Sequence, residues 1–320
     1  MPRIPHQVMD CPFYLYRTRE EAEKGVGFGG TGFFVGYPGT AAGYTSAYAI
    51  TNWHVAVRDG FSVIRVNKIG GGTDIFEFDA SEWEFQPNGP DIAIIGPSQL
   101  KIDNRLHQII ALGMPMLMER PDIQSLGIMP GEDIFMIGRF IDHDGHQQNI
   151  PAARFGNISV MPQRVAQPTG GSHDSFILDI HSRTGYSGSP VFVYRTFGSD
   201  LTLNSLNSIA ASPSPQFIKL LGVHWGQFPE KWELREGPKG LSAEVAQLQK
   251  SANEKYIEGM SGMTLAIPAW EIKDFLEMPK FVEERRKLAA RSTAAPGPVA
   301  ESGLPATDEN PTHASHPLVR

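Results

Sequence analysis

The sequence predicts an all-β fold, and three observations carry this prediction. Short apolar runs of strand length recur along most of the chain, and clusters of glycine, proline, asparagine and aspartate separate them. Helical patterns are few. Hydrophobic residues make up 41% of the 320 residues, which is enough for a substantial core. Short strands at such spacing are typical of a β-barrel or a β-sandwich.

The first half opens with residues 1–25, which read as a polar arm containing a candidate short helix at 18–24. Residues 26–37 predict a strand with glycine kinks of the kind that suit the corner of a barrel. These glycines do not form a phosphate-binding loop, since no Gly-Lys-Ser/Thr ending follows. Four further short strands are expected at residues 47–52, 61–66, 74–78 and 91–95.

The second half repeats this pattern after a linking stretch at 111–131 that is rich in methionine and proline. The segment Asp142-His143-Asp144-Gly145-His146 has metal-binding residue types, but Asp-Gly between two strand-like runs is the commoner mark of a hairpin turn. We therefore expect no metal and no cofactor. Strands are expected at residues 133–138, 152–160, 175–180, 191–194, 220–226 and 263–268.

Charge and cysteine content narrow the function classes. The formal charge of -7 is spread along the chain, and no basic stripe indicates a nucleic-acid partner. Cys11 is the only cysteine, so no internal disulfide can form. We expect no membrane span and no signal peptide, because no run is long or apolar enough. A cytoplasmic location is the default expectation, with a leaderless export route left open.

A serine between two glycines is the most informative feature of the second half. The stretch Thr184-Gly185-Tyr186-Ser187-Gly188-Ser189-Pro190 leads into an apolar strand. A serine hydroxyl is a weak nucleophile, so it needs a base and hydrogen-bond donors for the developing oxyanion. Gly185 permits a sharp turn that would aim its N–H and that of Ser187 at one point. The alternative is an ordinary turn that enters a strand.

Two upstream residues supply what this serine lacks. His54 ends an apolar strand-like run, and Asp91 stands at the start of another. A histidine can take the hydroxyl proton and return it to the leaving amine, while a buried carboxylate orients the imidazole. Each residue alone could be structural: a satisfied histidine, or an aspartate in a turn. The chain order His54, Asp91, Ser187 is nevertheless that of the chymotrypsin-type enzymes, and the three together predict a catalytic triad.

The motifs Gly30-Thr31-Gly32-Phe33, Thr51-Asn52-Trp53-His54, Asp91-Ile92-Ala93-Ile94 and Gly185-Tyr186-Ser187-Gly188-Ser189-Pro190 resemble those of the trypsin-like serine peptidases. The resemblance implies two antiparallel six-stranded β-barrels with a C-terminal helix. Gly188–Phe192 and Gly222-Val223-His224-Trp225-Gly226 look most like the bacterial glutamyl endopeptidases. Many chymotrypsin relatives carry, before the nucleophile, an aspartate that pairs with a newly cut N-terminus. Tyr186 stands there instead, so activation by that cleavage is not expected.

The same resemblance implies which residues line the pocket for the substrate side chain before the cut bond. They are His181, Ser182, His224, Trp225 and Gly226. His181 stands where trypsin keeps its aspartate, so a preference for Lys or Arg is not expected. Ser182 and His224 match the pair that holds a substrate carboxylate in glutamyl endopeptidases. The alternative is that His224 is a strand residue bonded to a neighbouring carbonyl.

The predicted organisation is one catalytic unit with additions at both ends. The arm covers 1–25, the peptidase domain 26–277, a helical extension 278–291, and a disordered tail 292–320. Within the domain, barrel one covers about 26–115 and barrel two about 123–270. Two insertions, 195–217 and 227–262, are candidates for a lid or a partner contact, and the second contains a candidate helix at 243–256. The C-terminal helix should begin near Trp270.

The function predicted from the sequence is a serine endopeptidase that acts on a protein or peptide substrate. Two alternatives stay open. The same fold could bind peptides without cutting them, or the chain could be a protease component that a regulatory protein partner activates in a defence or signalling system.

Overall fold

A computed structural model describes residues 3–27, 29–39, 45–141, 145–166, 172–196, 216–233 and 256–294 of the chain. The described part is mostly β-structure, with two sheets and few helices. Five α-helices occur among the described residues: α1 (His6–Met9), α2 (Arg19–Lys24), α3 (Arg120–Ser125), α4 (Ala269–Leu276) and α5 (Pro279–Ala294). The predicted all-β fold class with a C-terminal helix is confirmed.

The first half forms one eight-stranded sheet, two strands more than the resemblance implied. Its order is β5-β4-β1-β2-β3-β7-β6, and β8 pairs with β2 in parallel while every other pair is antiparallel. The strands are β1 (Pro12–Tyr16), β2 (Thr31–Pro38), β3 (Thr45–Thr51), β4 (Val63–Asn67), β5 (Thr73–Phe76), β6 (Glu84–Phe85), β7 (Ala93–Ile95) and β8 (Ala111–Gly113).

The second half closes into a six-stranded barrel, as predicted. The order around the barrel is β10-β11-β14-β13-β12-β9, with antiparallel pairing throughout. Strands β13 and β14 form a long antiparallel pair that continues as far as Glu233 and Tyr256. The six strands are β9 (Asp133–Gly138), β10 (Ala152–Ala166), β11 (Ser172–Asp179), β12 (Pro190–Arg195), β13 (Phe217–Glu233) and β14 (Tyr256–Pro268).

Strand β1 corrects the prediction of a polar arm. Its five residues are all buried, and it pairs with β2 on one side and β4 on the other. The run Pro-Phe-Tyr-Leu-Tyr is apolar enough to be covered on both faces, and the neighbouring strands satisfy its backbone groups. The arm was therefore wrong for residues 12–16. The helix predicted at 18–24 is present as α2, with Thr18 Oγ1 accepting a hydrogen bond from the Glu21 N–H at 3.2 Å.

Helix α5 packs against the first half although it comes last in the described chain. Phe281 is 2% exposed, and its ring contacts those of Tyr48 and Phe275 edge-on, with centroids 5.6 Å and 5.7 Å away. Arg285 donates a hydrogen bond to the Tyr48 hydroxyl at 3.0 Å. The predicted helical extension is thus part of the packed structure.

Some predictions lie outside the described residues. These are the helix at 243–256, apart from Tyr256, the larger part of the two insertions, the tail beyond 294, and Asp142, His143 and Asp144. Among the described residues, no group of three or more His, Cys, Asp or Glu side chains is placed to hold a metal ion. In the same part of the chain, none of the helices is long and apolar enough to cross a membrane.

Candidate active site

His54 is brought to the site by the end of strand β3. The chain leaves β3 at Thr51, and His54 then opens a single π-helical turn in which its carbonyl accepts a hydrogen bond from the Asp59 N–H at 2.9 Å. Turns of this type inside helices are rare and are frequent at functional sites. His54 is 8% exposed, so only one edge of the imidazole reaches the surface.

Asp91 meets His54 because strands β3 and β7 are neighbours. Thr51 pairs with Ala93, so the end of β3 lies beside the start of β7. The fully buried Asp91 carboxylate accepts two hydrogen bonds from His54: Oδ2 lies 2.5 Å from Nδ1, and Oδ1 accepts from the backbone N–H at 2.9 Å. Asn52 donates to the Asp91 carbonyl at 2.8 Å. Asp91 thus holds His54 at two points, one on the imidazole ring and one on the backbone.

Ser187 lies in the turn before strand β12. The Ser189 N–H donates to the Tyr186 carbonyl at 2.9 Å, and the Gly188 N–H donates to the His224 carbonyl at 2.8 Å. The turn needs glycine at 185, where φ is +99° and an added Cβ would lie 2.7 Å from the Arg139 carbonyl oxygen. Ser187 and His54 line the same cleft.

The backbone around Ser187 offers two unused donors. Among the hydrogen bonds of the described residues, none uses the N–H of Gly185 or of Ser187, whereas the Tyr186 N–H between them donates to the Arg183 carbonyl at 3.2 Å. These are the two groups that the sequence predicts for the oxyanion hole. Free donors at this point can stabilise negative charge on a substrate carbonyl.

The Ser187 hydroxyl is not yet paired with its predicted base. Within the described part of the chain, no hydrogen bond joins Ser187 to His54. Catalytic hydrogen bonds are often long before substrate binds, so this geometry does not exclude the pair. Because Nδ1 faces Asp91, Nε2 is the nitrogen left to receive the hydroxyl proton.

A cleft of about 260 Å³ surrounds these groups. It includes three of the five predicted pocket residues: Ser182, His224 and Gly226. His181 is outside this lining, exposed and close to Gly262. Trp225 is also outside it: the indole is buried and donates to Ser175 Oγ at 3.1 Å. Neighbouring residues of a strand point to opposite faces, which explains why Trp225 turns away from His224.

Two buried polar side chains in the cleft have no protein partner. Both ring nitrogens of His224 and the hydroxyl oxygen of Ser182 are buried without a hydrogen bond. Burial, followed by the nearby His54, lowers the pKa of His224 from 6.5 to about 4. His224 is therefore neutral at pH 7 and has one donor and one acceptor to offer. Unpartnered buried polar groups are costly, and a ligand can satisfy them.

Tyr186 is held in the interior beneath the turn that contains Ser187. Its hydroxyl donates to the Ala152 carbonyl at 3.3 Å, and the Arg154 guanidinium lies 5.1 Å from the ring centroid. Burial raises the pKa of Tyr186 above its usual range. A neutral phenol in this place provides a hydrogen bond and packing rather than an ion pair.

Sequence reasoning missed several residues of the site. Asn52 stands two positions before His54 and donates to the Asp91 carbonyl. The signal in the sequence is an asparagine at the end of a predicted strand, because its amide can bond to a neighbouring backbone group. Gln227 directly follows the predicted pocket strand and lines the cleft, as do Asp59 and Phe61. Thr31 contacts the nucleophile turn from the other half of the molecule, which no local pattern reveals.

Comparison with known proteins gives structural neighbours only. No family model and no curated protein matches the chain. The MamO protease domain from Magnetospirillum magneticum is 17% identical with a TM-score of 0.46, over 85% of this chain and 98% of that one. The HtrA-type protease AlgW is 17% identical with a TM-score of 0.39, over 82% of this chain and 51% of that one.

A third neighbour is the active form of the Rv3671c protease from M. tuberculosis. It is 15% identical with a TM-score of 0.42, over 86% of this chain and 91% of that one. These similarities are too low for an activity to be transferred. The all-β fold class rests on the chain itself, which forms one eight-stranded sheet and one closed six-stranded barrel. The closer likeness to glutamyl endopeptidases stays a prediction.

Proposed function

We propose that this protein is a serine endopeptidase that hydrolyses peptide bonds through an acyl-enzyme on Ser187. The observation that carries the proposal is the two-point contact of the buried Asp91 with His54, which lines the same cleft as Ser187. A buried carboxylate that holds one imidazole nitrogen leaves the other free to act as a base. The unused N–H groups of Gly185 and Ser187 support the same chemistry.

The reaction has two balanced halves. The Ser187 hydroxyl passes its proton to His54 Nε2 while Oγ bonds to the substrate carbonyl carbon, and the carbonyl oxygen becomes the oxyanion. The carbon–nitrogen bond then breaks, and His54 gives the proton to the leaving amine. Water repeats the sequence: it loses a proton to His54 and attacks the ester, and Ser187 departs as the alcohol with the proton returned.

A fluorophosphonate probe tests the proposal. The wild-type protein should be labelled on Ser187, and Ser187→Ala should abolish labelling and reduce peptide hydrolysis by about four to six powers of ten. Ser189→Ala is the matched control, because Ser189 lies two residues away but is fully buried. Labelling that persists in Ser187→Ala and is lost in Ser189→Ala would show that the wrong serine is named.

We further propose that the cleft prefers glutamate or aspartate before the cut bond. Support comes from the unpartnered Ser182 hydroxyl and His224 ring in the cleft. Both can donate to a substrate carboxylate, and a hydrogen bond to a charged group contributes roughly 1.5–3 kcal/mol. The alternative, a His224 bonded to a neighbouring carbonyl, stays open: neither ring nitrogen has a partner within hydrogen-bond geometry, but a backbone contact with Tyr186 contributes to the pKa of His224.

A peptide-library digest read by mass spectrometry tests this preference. Cuts after Glu or Asp support it, and cuts after Arg or Leu contradict it. Ser182→Ala should lower kcat/KM for a glutamyl peptide about tenfold and leave a leucyl peptide of the same sequence within threefold. The leucyl peptide is the internal control for damage to the triad.

A second candidate is a protease component that a partner activates. The absence of a Ser187–His54 hydrogen bond in the described residues favours it, because a partner could close that gap. Purified protein would then label slowly with the probe and faster in the lysate of its own cells. Equal labelling in both argues for constitutive activity, and no labelling in either argues for a peptide-binding module.

A further inference from the structure

Thr31 is the first residue of strand β2, and it touches the nucleophile turn from the opposite half of the molecule. It is fully buried. Its N–H donates to the Ser187 carbonyl at 2.8 Å, and its hydroxyl donates to the Gly185 carbonyl at 2.7 Å. One side chain and its own backbone thus hold the carbonyls of both residues whose N–H groups form the predicted oxyanion hole.

The remaining polar groups of Thr31 fix its own position. Oγ1 accepts a hydrogen bond from the Arg139 N–H at 2.9 Å, and the Thr31 carbonyl accepts one from Thr51 Oγ1 at 2.7 Å. A Cβ on Gly188 would collide with that carbonyl, so the close approach of β2 to the turn requires glycine there. Every polar atom of Thr31 is therefore paired.

These contacts constrain two peptide planes. A peptide group is planar, so holding its carbonyl oxygen also fixes the direction of the following N–H. The Gly185 carbonyl holds the plane before Tyr186, and the Ser187 carbonyl holds the plane before Gly188. The peptide that carries the Ser187 N–H lies between these two fixed planes. The carbonyl of that peptide, Tyr186 O, accepts a hydrogen bond from the Ser189 N–H at 2.9 Å, so Thr31 fixes the peptides on either side of the donor and not the donor itself.

We propose that Thr31 is a positioning residue that holds the oxyanion turn in its active geometry across the boundary between the two halves. The inference rests on the proposed peptidase function. Thr31 does not touch substrate; it acts through Gly185 and Ser187. Its hydroxyl matters because valine, of nearly the same shape, would leave the Gly185 carbonyl and the Arg139 N–H without their partner.

The test compares Thr31→Val with Thr31→Ser in the full chain. The readouts are the second-order rate of fluorophosphonate labelling and the separate kcat and KM for a glutamyl peptide anilide. A single oxyanion donor contributes about 10²–10³ in rate, so a displaced donor in Thr31→Val should lower labelling and kcat about 10- to 100-fold. KM should stay within threefold, and Thr31→Ser should stay within threefold of wild type.

The matched control is Tyr48→Phe, which also removes one buried hydroxyl from the first sheet. It removes the hydrogen bond from Arg285 at 3.0 Å but none to Thr31 or to the turn, so it should keep kcat within threefold despite a lower melting temperature. If Thr31→Val does not fold, the pair Thr31→Ser and Thr31→Ala makes the comparison, because the two differ only in a hydroxyl.

The outcomes separate the two proposals. A kcat in Thr31→Val equal to that in Tyr48→Phe, or a loss in Thr31→Ser as large as in Thr31→Val, overturns the role of Thr31 while leaving the peptidase intact. A wild-type protein that the probe does not label overturns the peptidase proposal itself, and the role of Thr31 in an oxyanion site with it.

Discussion

Replacing Asp91 by asparagine should prevent His54 from acting as a base and should leave the fold intact. In the wild-type protein each carboxylate oxygen accepts one hydrogen bond from His54: Oδ1 from the backbone N–H and Oδ2 from Nδ1. Asparagine keeps one oxygen. The backbone N–H can only donate, so the oxygen must face it, and the amide NH₂ must face Nδ1. Nδ1 then has to accept, which moves the ring proton to Nε2.

An imidazole with its proton on Nε2 cannot receive one from Ser187. A wrong tautomer of this kind costs about 10⁴ in rate in the chymotrypsin type case, which corresponds to about 5 kcal/mol of transition-state stabilisation. We expect the fluorophosphonate labelling rate of Asp91→Asn at pH 7 to fall by about that factor. The melting temperature should change little, because the asparagine still satisfies the backbone N–H.

The chain offers a matched control in a second aspartate–histidine pair. His107 Nε2 lies 3.0 Å from Asp74 Oδ2, and neither residue lines the cleft. Asp74→Asn should leave the labelling rate within twofold. A rate for Asp91→Asn within tenfold of wild type would refute the tautomer argument, and an equal fall in Asp74→Asn would show that the loss is not specific to the cleft.

Two further predictions concern stability. Burial holds the pKa of His224 at about 4, whereas an unfolded histidine titrates near 6.5. As the pH falls, the unfolded state therefore binds a proton before the folded state does. The contribution of neutral His224 to the free energy of unfolding is complete above pH 6.5 and is lost as the pH falls towards 4. At about 1.4 kcal/mol per pKa unit, this loss of stability reaches about 3 kcal/mol. Urea unfolding at pH 7 and pH 4.5 should show a smaller loss of stability in His224→Phe than in the wild type. Identical losses in the two proteins would contradict the assignment. Phe281→Ala should lower the free energy of unfolding by about 3–5 kcal/mol, because the ring is packed between Tyr48 and Phe275. Val282→Ala, next to it but 43% exposed, should cost less than about 1 kcal/mol in the same assay, and equal costs would show that α5 is not seated on the first half.

The sequence predicts most of the fold because its strands alternate with recognisable turns. Residues 133–138 form β9 with the predicted bounds, and the helix near Trp270 begins one residue earlier, at Ala269. Strand β1 was not predicted, because it lies between polar segments and is buried on both faces. It therefore lacks the alternation of apolar and polar residues that marks a half-buried strand. Strands β6 and β8, of two and three residues, are too short to produce a pattern.

The site shows the same division between local and distant information. The proximity of His54 to Asp91, and of His54 to Ser187 in one cleft, could be predicted because each residue has a short motif around it. The contacts of Thr31 with Gly185 and Ser187 depend on how the two halves approach each other, which no neighbouring residue encodes. The orientation of Trp225 was within reach, since alternation along β13 places it opposite His224. The unpartnered state of His224 could be learned only from its surroundings.

The packing of helix α5 against the first sheet has a consequence for the order in which the chain folds during translation. Tyr48 belongs to one of the earliest strands to leave the ribosome, and the ring that covers it, Phe281, is more than two hundred positions later. Until that helix is synthesised, the Tyr48 ring of the first sheet lacks the Phe281 ring that packs against it. The aromatic packing of the first sheet is therefore completed only after the first turn of α5 has been synthesised.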